Sequence, residues 1–348
     1  MDSEGKHLSR RKLLQTGAAG AALSAAAVGA YFSASTSQTP ADERLLKSLS
    51  GHNGYIWRVA MTPDARRALS GAADRTAKVW DLEAGELLAS FEHESVVQSV
   101  AISADGKRAL TGEGQVVSGS SDNAVRLWDL ETGQPLLTMK GHTGPVKAVT
   151  FVPGRNLALS GAGGTYGTEA DNSLRLWDLE TGAELQVLRG HTDWPQDVCA
   201  AADGVRAISS ALDGTLRLWD LSTGRNTGIL EGHSDAVWGL SMTPDGRWAV
   251  SASWDKTMKL WDLRQGRAVK TFRGHTGGLR DAAISVDGRR AVSGALDGTV
   301  RVWDLEAGDH IATLRGHRNE VRGVALSADG LHTLSGSEDY TVRLWDTS

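Results

Sequence analysis

The dipeptide Trp-Asp recurs in one register seven times, with its tryptophan at 80, 128, 177, 219, 261, 303 and 345, and the last five of these copies are spaced by 42 residues. A histidine stands upstream of each copy, at His52, His93, His142, His191, His233, His275 and His317, preceded by glycine everywhere except at Glu92. Five of the His-to-Trp separations are 28 residues and two are 35. A period near 40 residues means one small structural unit written repeatedly, each copy too small to bury its own apolar face and stable only when stacked on neighbours. The two long copies share a seven-residue insertion, between Thr111 and Asp122 and between Ser160 and Asp171.

Within a copy, LRLWDLSTG alternates apolar and polar residues and ends in a glycine-containing hairpin, as does SMTPDGRWAVSAS. Both runs read as antiparallel strand pairs, so each repeat supplies four short strands. Stacking seven such sheets radially buries their faces and removes most exposed edges. Residues 44–50 (RLLKSLS) match the segment before each later Gly-His, and the chain stops two residues after the last Trp-Asp. This segment is therefore expected to supply the missing outer strand of the last sheet.

Over residues 44–348 the seven in-register Gly-His and Trp-Asp copies resemble the WD40 family. The resemblance implies an all-β, seven-bladed propeller of four antiparallel strands per blade, closed by its N-terminal strand. It also implies that the repeated His, Ser or Thr, Asp and Trp, such as His233, Ser251, Asp255 and Trp261, form a structural hydrogen-bond chain. A catalytic triad is needed once, whereas this set recurs in every repeat. Buried histidine, hydroxyl and indole groups need partners, and these residues can satisfy one another. No catalytic residue is therefore assigned.

Seven of the ten histidines belong to the repeats, the other three show no ligand spacing, and the single cysteine, Cys199, stands where other repeats carry small residues. Neither a metal nor a cofactor is expected, and no disulfide. The glycine-rich Gly161-Ala162-Gly163-Gly164 lacks the lysine of a phosphate loop. A net charge of −5, with 23% charged residues, gives no sign of the basic surface of a nucleic-acid binder.

Ahead of the repeats, residues 2–15 are polar and basic, residues 16–34 carry no charge, and residues 35–43 are small and polar. The order is that of a signal peptide over residues 1–34 followed by a linker over 35–43. Ser9-Arg10-Arg11-Lys12-Leu13-Leu14 resembles a twin-arginine translocation signal, with Arg10 and Arg11 as the pair its translocase reads. The uncharged stretch is mostly Ala and Gly, a poor permanent anchor. The expectation is export across a bacterial cytoplasmic membrane to the periplasm or outside, with no stable membrane span after cleavage.

In a repeat array the scaffold positions are fixed and the surface positions vary, so function is sought where copies differ. Three registers lie at one loop end in the WD40 family: three and five residues after the histidine, and just before the aspartate. Tyr55 and Trp194 occupy the first, Trp57, Lys147, Trp238, Arg280 and Arg322 the second, Leu212 and Trp254 the third. Exposed aromatics with a cationic rim have the composition of a protein-binding hot spot. Glu113, Tyr166 and Glu169 of the insertions would form a lip beside it, for a basic or aromatic partner. A cation with Asp122 and Asp171 is opposed by the role of both aspartates in the hydrogen-bond chains.

These readings combine into an exported, non-enzymatic, monomeric scaffold that binds a protein or peptide at this face, its arginines and lysine selecting acidic flanks. The alternatives are a propeller hydrolase or lyase using the channel mouth or inserted loops, and a cytoplasmic WD40 regulatory scaffold whose N-terminus only imitates a signal.

Overall fold

The computed structural model describes residues 43–114, 122–164 and 170–348. Among these residues the alternating runs form 28 strands in seven four-stranded antiparallel sheets, each built from one repeat as an inner-to-outer meander. Blade 1 comprises Ile56–Met61, Arg67–Ala72, Thr76–Asp81 and Glu86–Glu92. The exception to sequential order is blade 7, whose strands Val321–Leu326, His332–Ser337 and Thr341–Asp346 take Leu45–Ser50 as their outermost member. Leu49 pairs with Val342 there and is 2% exposed. First and last repeats thus share a sheet, and the ring closes as expected.

The core lies between blades rather than within them. Ile208, Leu216 and Leu230 of blade 4 pack on Val237, Leu240 and Trp261 of blade 5, while Leu334, Val342 and Leu344 of blade 7 pack on Ile56, Val59 and Trp80 of blade 1. Each of the seven indoles in the repeat register is wedged into such a seam and is at most 6% exposed. Loss of one such ring costs about 3–5 kcal/mol by the usual scale for core aromatics.

In six blades the hydrogen-bond chain forms as the resemblance implied. In blade 5 the Trp261 indole N–H donates to Ser251 Oγ at 2.8 Å, His233 Nε2 meets the same oxygen at 2.7 Å, and His233 Nδ1 meets Asp255 at 2.8 Å. Burial alone would raise the Asp255 carboxyl; hydrogen bonds from His233, Thr257 and the Ser234 N–H hold it well below the usual carboxylate range. Gly232 before His233 has φ +157°, and a Cβ there would sit 3.3 Å from the Trp261 ring. Glycine is thereby selected before the histidine.

Blade 2 departs from this, and the expectation that Asp122 joins a chain is corrected. His93 follows Glu92 rather than glycine; its Nδ1 meets the Phe91 carbonyl at 2.9 Å and its Nε2 meets Thr111 at 3.0 Å. Asp122 pairs instead with Arg126 and Lys140, each at 3.0 Å. Glu113 is not part of a lip either. It is buried at the end of Arg108–Glu113, paired with Arg126, and burial pushes its carboxyl up to about 7. In blade 3 Asp171 does meet His142, at 2.9 Å. Tyr166 and Glu169 lie outside the described residues, as do Arg10 and Arg11.

Candidate functional site

A recurrent irregularity of the backbone builds the site. In all seven blades the pairing of the innermost strand with its neighbour slips by one residue, between Ile56 and Arg58, Val97 and Ser99, Val146 and Ala148, Pro195 and Asp197, Val237 and Gly239, Leu279 and Asp281, and Val321 and Gly323. The residue skipped is the fifth after each histidine: Trp57, Gln98, Lys147, Gln196, Trp238, Arg280 and Arg322. A β-bulge breaks the ladder and re-aims its side chain. Seven bulges at one register therefore set these residues in a ring at the channel mouth.

The ring is organised by cations lying on aromatic faces. The Arg280 guanidinium lies 4.5 Å from the Trp238 ring and 5.0 Å from that of Trp254; the two indoles stack at 5.0 Å with an interplanar angle of 19°. Arg322 covers Trp57 at 4.1 Å. Lys147 Nζ lies 6.0 Å from Trp57 and 5.9 Å from Trp194, and donates to Gln98 Oε1 at 2.9 Å. Such contacts contribute about 0.5–2 kcal/mol each, most when dry. Glu320 joins the two halves, 3.0 Å from Arg280 and 3.6 Å from Arg322, while Glu338 takes the Arg322 Nε–H at 2.6 Å.

Several expectations need correction against this geometry. The tryptophans at the mouth are half-buried, not exposed, and the exposed aromatics are Tyr55 and Tyr340, whose rings meet at 5.7 Å. The cations form no rim: they sit among the indoles, and both arginines are already paired with glutamates. Leu212 is 5% exposed and offers a partner almost nothing. Tyr55, Trp57, Lys147, Trp194, Trp238, Trp254, Arg280 and Arg322 do converge.

Sequence reasoning missed the floor beneath the ring. One residue past the bulge, Arg58 reaches both Asp197 of blade 4 and Asp281 of blade 6 at 2.7 Å. Those carboxylates also accept backbone N–H groups of the next blade, Asp197 from Leu240 and Asp281 from Val324, both at 2.9 Å. Burial, with Asp281 nearby, pushes the Asp197 carboxyl up to about 6 against the pull of Arg58. The available signal was a register holding Arg58, Asp197 and Asp281 where the other blades carry Ser99, Ala148, Gly239 and Gly323.

Burial, with Arg322 and Arg280 nearby, pulls the Lys147 ammonium down to about 7. An amine so tuned resembles a nucleophile, but its hydrogen-bond partner is Gln98. Among the described residues no carboxylate or imidazole pairs with it to move a proton, as amine catalysis requires. Cys199 is also unsuited to covalent chemistry, since burial raises its thiol well above the ordinary value. No group of three or more potential metal ligands occurs among the described residues.

A ring of repeated blades whose variable side chains converge at one mouth defines the molecule as a repeat propeller with a candidate interaction face. The family model for the WD domain, G-beta repeat, matches seven consecutive stretches, 43–81, 85–129, 133–178, 182–220, 224–262, 266–304 and 308–346. The chain belongs to the WD40-repeat family.

Among curated proteins it is similar to the serine-threonine kinase receptor-associated protein of Dictyostelium discoideum, 30% identical over 104 residues, covering 30% of this chain and 33% of the relative. The Gallus gallus protein of the same name is 42% identical over 62 residues, 18% of each chain. Eukaryotic translation initiation factor 3 subunit I of Debaryomyces hansenii is 40% identical over 72 residues, 21% of each. The matched stretches thus span between about a fifth and a third of these relatives. They overturn the expectation of an exported protein: eukaryotic proteins named for a kinase receptor and a translation initiation factor point away from a bacterial envelope. The twin-arginine translocase falls with it as a partner. The Ala- and Gly-rich stretch that suggested export is a compositional signal with few large apolar residues. No helix among the described residues is long and apolar enough to cross a membrane.

Proposed function

We propose that this chain is a non-enzymatic WD40 regulatory scaffold that holds a segment of a partner protein at the channel mouth formed by Trp57, Lys147, Trp194, Trp238, Trp254, Arg280 and Arg322. The observation that carries the reading is the set of bulged side chains: in the same register of seven copies, five are large aromatic or cationic groups aimed at one opening. Tryptophan and arginine are the residues most enriched where interfaces concentrate their binding energy. The relatives' names support a protein partner, since one is associated with a kinase receptor and another is a subunit of a larger factor. The same names favour the regulatory scaffold over the exported one.

The test is co-purification with the full chain carrying an affinity tag. Wild type is compared with Trp57→Ala/Trp238→Ala/Trp254→Ala and with Trp248→Ala, which lies at the start of Trp248–Ser253, away from the mouth. A partner kept by wild type and Trp248→Ala but lost by the folded triple variant is expected, each central indole contributing about 2 kcal/mol. The same partners recovered by all three proteins would reject the mouth as the binding face.

A further inference from the structure

We propose that the channel mouth receives a carboxylate, carried on an acidic side chain of the partner segment and seated beside Lys147. This inference rests on the mouth being the binding face and adds the chemistry that it selects.

The aromatic faces are already taken. Arg280 covers Trp238 and Trp254, and Arg322 covers Trp57, so an incoming cation meets filled sites and three positive groups. What the mouth leaves unmet are donors: the indole N–H groups of Trp57, Trp238 and Trp254 and the Nε–H of Arg280 are buried without a hydrogen-bond partner. Buried donors cost about 1–3 kcal/mol each when unsatisfied, and only an acceptor relieves them. An anionic acceptor also matches the charge. Lys147, Arg280 and Arg322 face Glu320 and Glu338, and among the described residues no carboxylate pairs with Lys147. Among these five side chains of the mouth the balance is one positive charge, which a carboxylate offsets and a phosphate dianion exceeds, while in the floor Arg58 is already matched by Asp197 and Asp281. A nucleic acid would need a basic field around the mouth, where Glu320 and Glu338 stand instead.

The same site makes binding depend on pH. Burial, with Arg322 and Arg280 nearby, pulls the Lys147 ammonium down to about 7, and a carboxylate beside it favours the charged form, so binding draws a proton. The ionisable groups around it are Arg322, Arg280, Glu320, Glu338 and Tyr55, with Arg58, Asp281 and Asp197, the last pushed up to about 6, in the floor below.

The experiment titrates three capped tripeptides, Leu-Glu-Leu, Leu-Gln-Leu and Leu-Lys-Leu, and a phosphoserine analogue, into full chain carrying ¹⁵N-labelled tryptophan. The expected result is that the Glu peptide moves the indole N–H signals of Trp57, Trp238 or Trp254 downfield and binds at least about tenfold tighter than the Gln peptide. From pH 6 to pH 8 its affinity should fall about tenfold in wild type and stay level over that range in Lys147→Arg, which keeps the charge. Lys147→Met, verified as folded by its thermal transition, should lose the preference for Glu over Gln.

Equal binding of the Glu and Gln peptides, preference for the Lys peptide, or no indole shift at millimolar peptide overturns the inference. Tighter binding of the phosphoserine peptide overturns it in favour of a phosphate. A partner whose co-purification depends on the three tryptophans while Glu and Gln peptides bind alike would remove the carboxylate and leave the proposed function standing.

Discussion

The Arg58 guanidinium of blade 1 bonds Asp197 of blade 4 at 2.7 Å, joining strands nearly opposite one another in the ring. A second nitrogen of the same group holds Asp281 of blade 6 at the same distance. Since each carboxylate also accepts an N–H from the following blade, five of the seven inner strands are tied through one side chain.

Replacing Arg58 by methionine leaves two buried carboxylates without their counter-charge, a loss of about 3–5 kcal/mol at neutral pH. The sign of the pH effect follows from those carboxylates. With Arg58 gone, the Asp197 carboxyl, already pushed up to about 6 by burial, rises further above its unfolded value near 4, so the folded state binds a proton that the unfolded state does not. Stability should therefore recover as pH falls from about 7 to 5. Urea midpoints of the variant and wild type at both pH values measure this, and a deficit that does not shrink at pH 5 contradicts it.

Ser251 is the junction of its chain, receiving the Trp261 indole and meeting His233. Ser251→Ala strands both groups in a seam from which water is excluded, at an expected cost of about 1–3 kcal/mol. Ser253→Ala, two residues along the same strand, removes a bond to the Asp235 carbonyl and one from the Asp255 N–H, each at 3.1 Å, but strands no buried indole or imidazole and should cost less. Chemical denaturation of the two variants ranks them; equal midpoints would reject the chain as a stabilising device.

The architecture was legible because the repeat writes it seven times: any one Trp-Asp or Gly-His is ambiguous, but a fixed register is not. The mouth was legible as a place, since Trp57, Lys147, Trp238, Arg280 and Arg322 share one bulged register. Its internal order was not. That Arg280 lies on Trp238 and Trp254, or that Glu320 bridges two arginines, depends on contacts between different blades, which no local pattern encodes. Arg58 went unread because its partners stand three and five blades on, beyond any local pattern. The blade 2 chain was misread because Asp122 keeps the residue type while pairing with Arg126 and Lys140, and His93 turns to the Phe91 carbonyl.

That blade supplies a pH test with two opposing signs. Burial lowers His93 to about 4, below its unfolded value near 6.5, so the unfolded chain binds the extra proton and stability drops as pH falls through this window. Burial raises Glu113 to about 7, so the folded chain binds the extra proton between about 4.5 and 7, and stability grows as pH falls. Each effect is at most about 3 kcal/mol, and in wild type they largely cancel between pH 6.5 and 4.5. Against the wild-type profile, Glu113→Gln should lose stability as pH falls and His93→Gln should gain it. Two variant profiles parallel to wild type would refute the assignment.

Ring closure rests on one short outer strand. Leu49 is 2% exposed, pairs with Val342, and packs with Ile56, Val59 and Trp80 of blade 1 as well as Leu334 and Leu344 of blade 7. Leu49→Ala should cost about 2–5 kcal/mol, the range for a buried leucine that leaves a cavity. Leu46 on the same strand is 46% exposed, and Leu46→Ala should leave stability within about 0.5 kcal/mol. Blade 7 carries Glu320, Arg322 and Glu338, so opening the seam also removes Arg322 from the face of Trp57. The Leu49→Ala chain should therefore show greater exposure of indole fluorescence to iodide at temperatures below its main unfolding transition. Unchanged quenching there would mean that blade 7 stays seated without its closing contact.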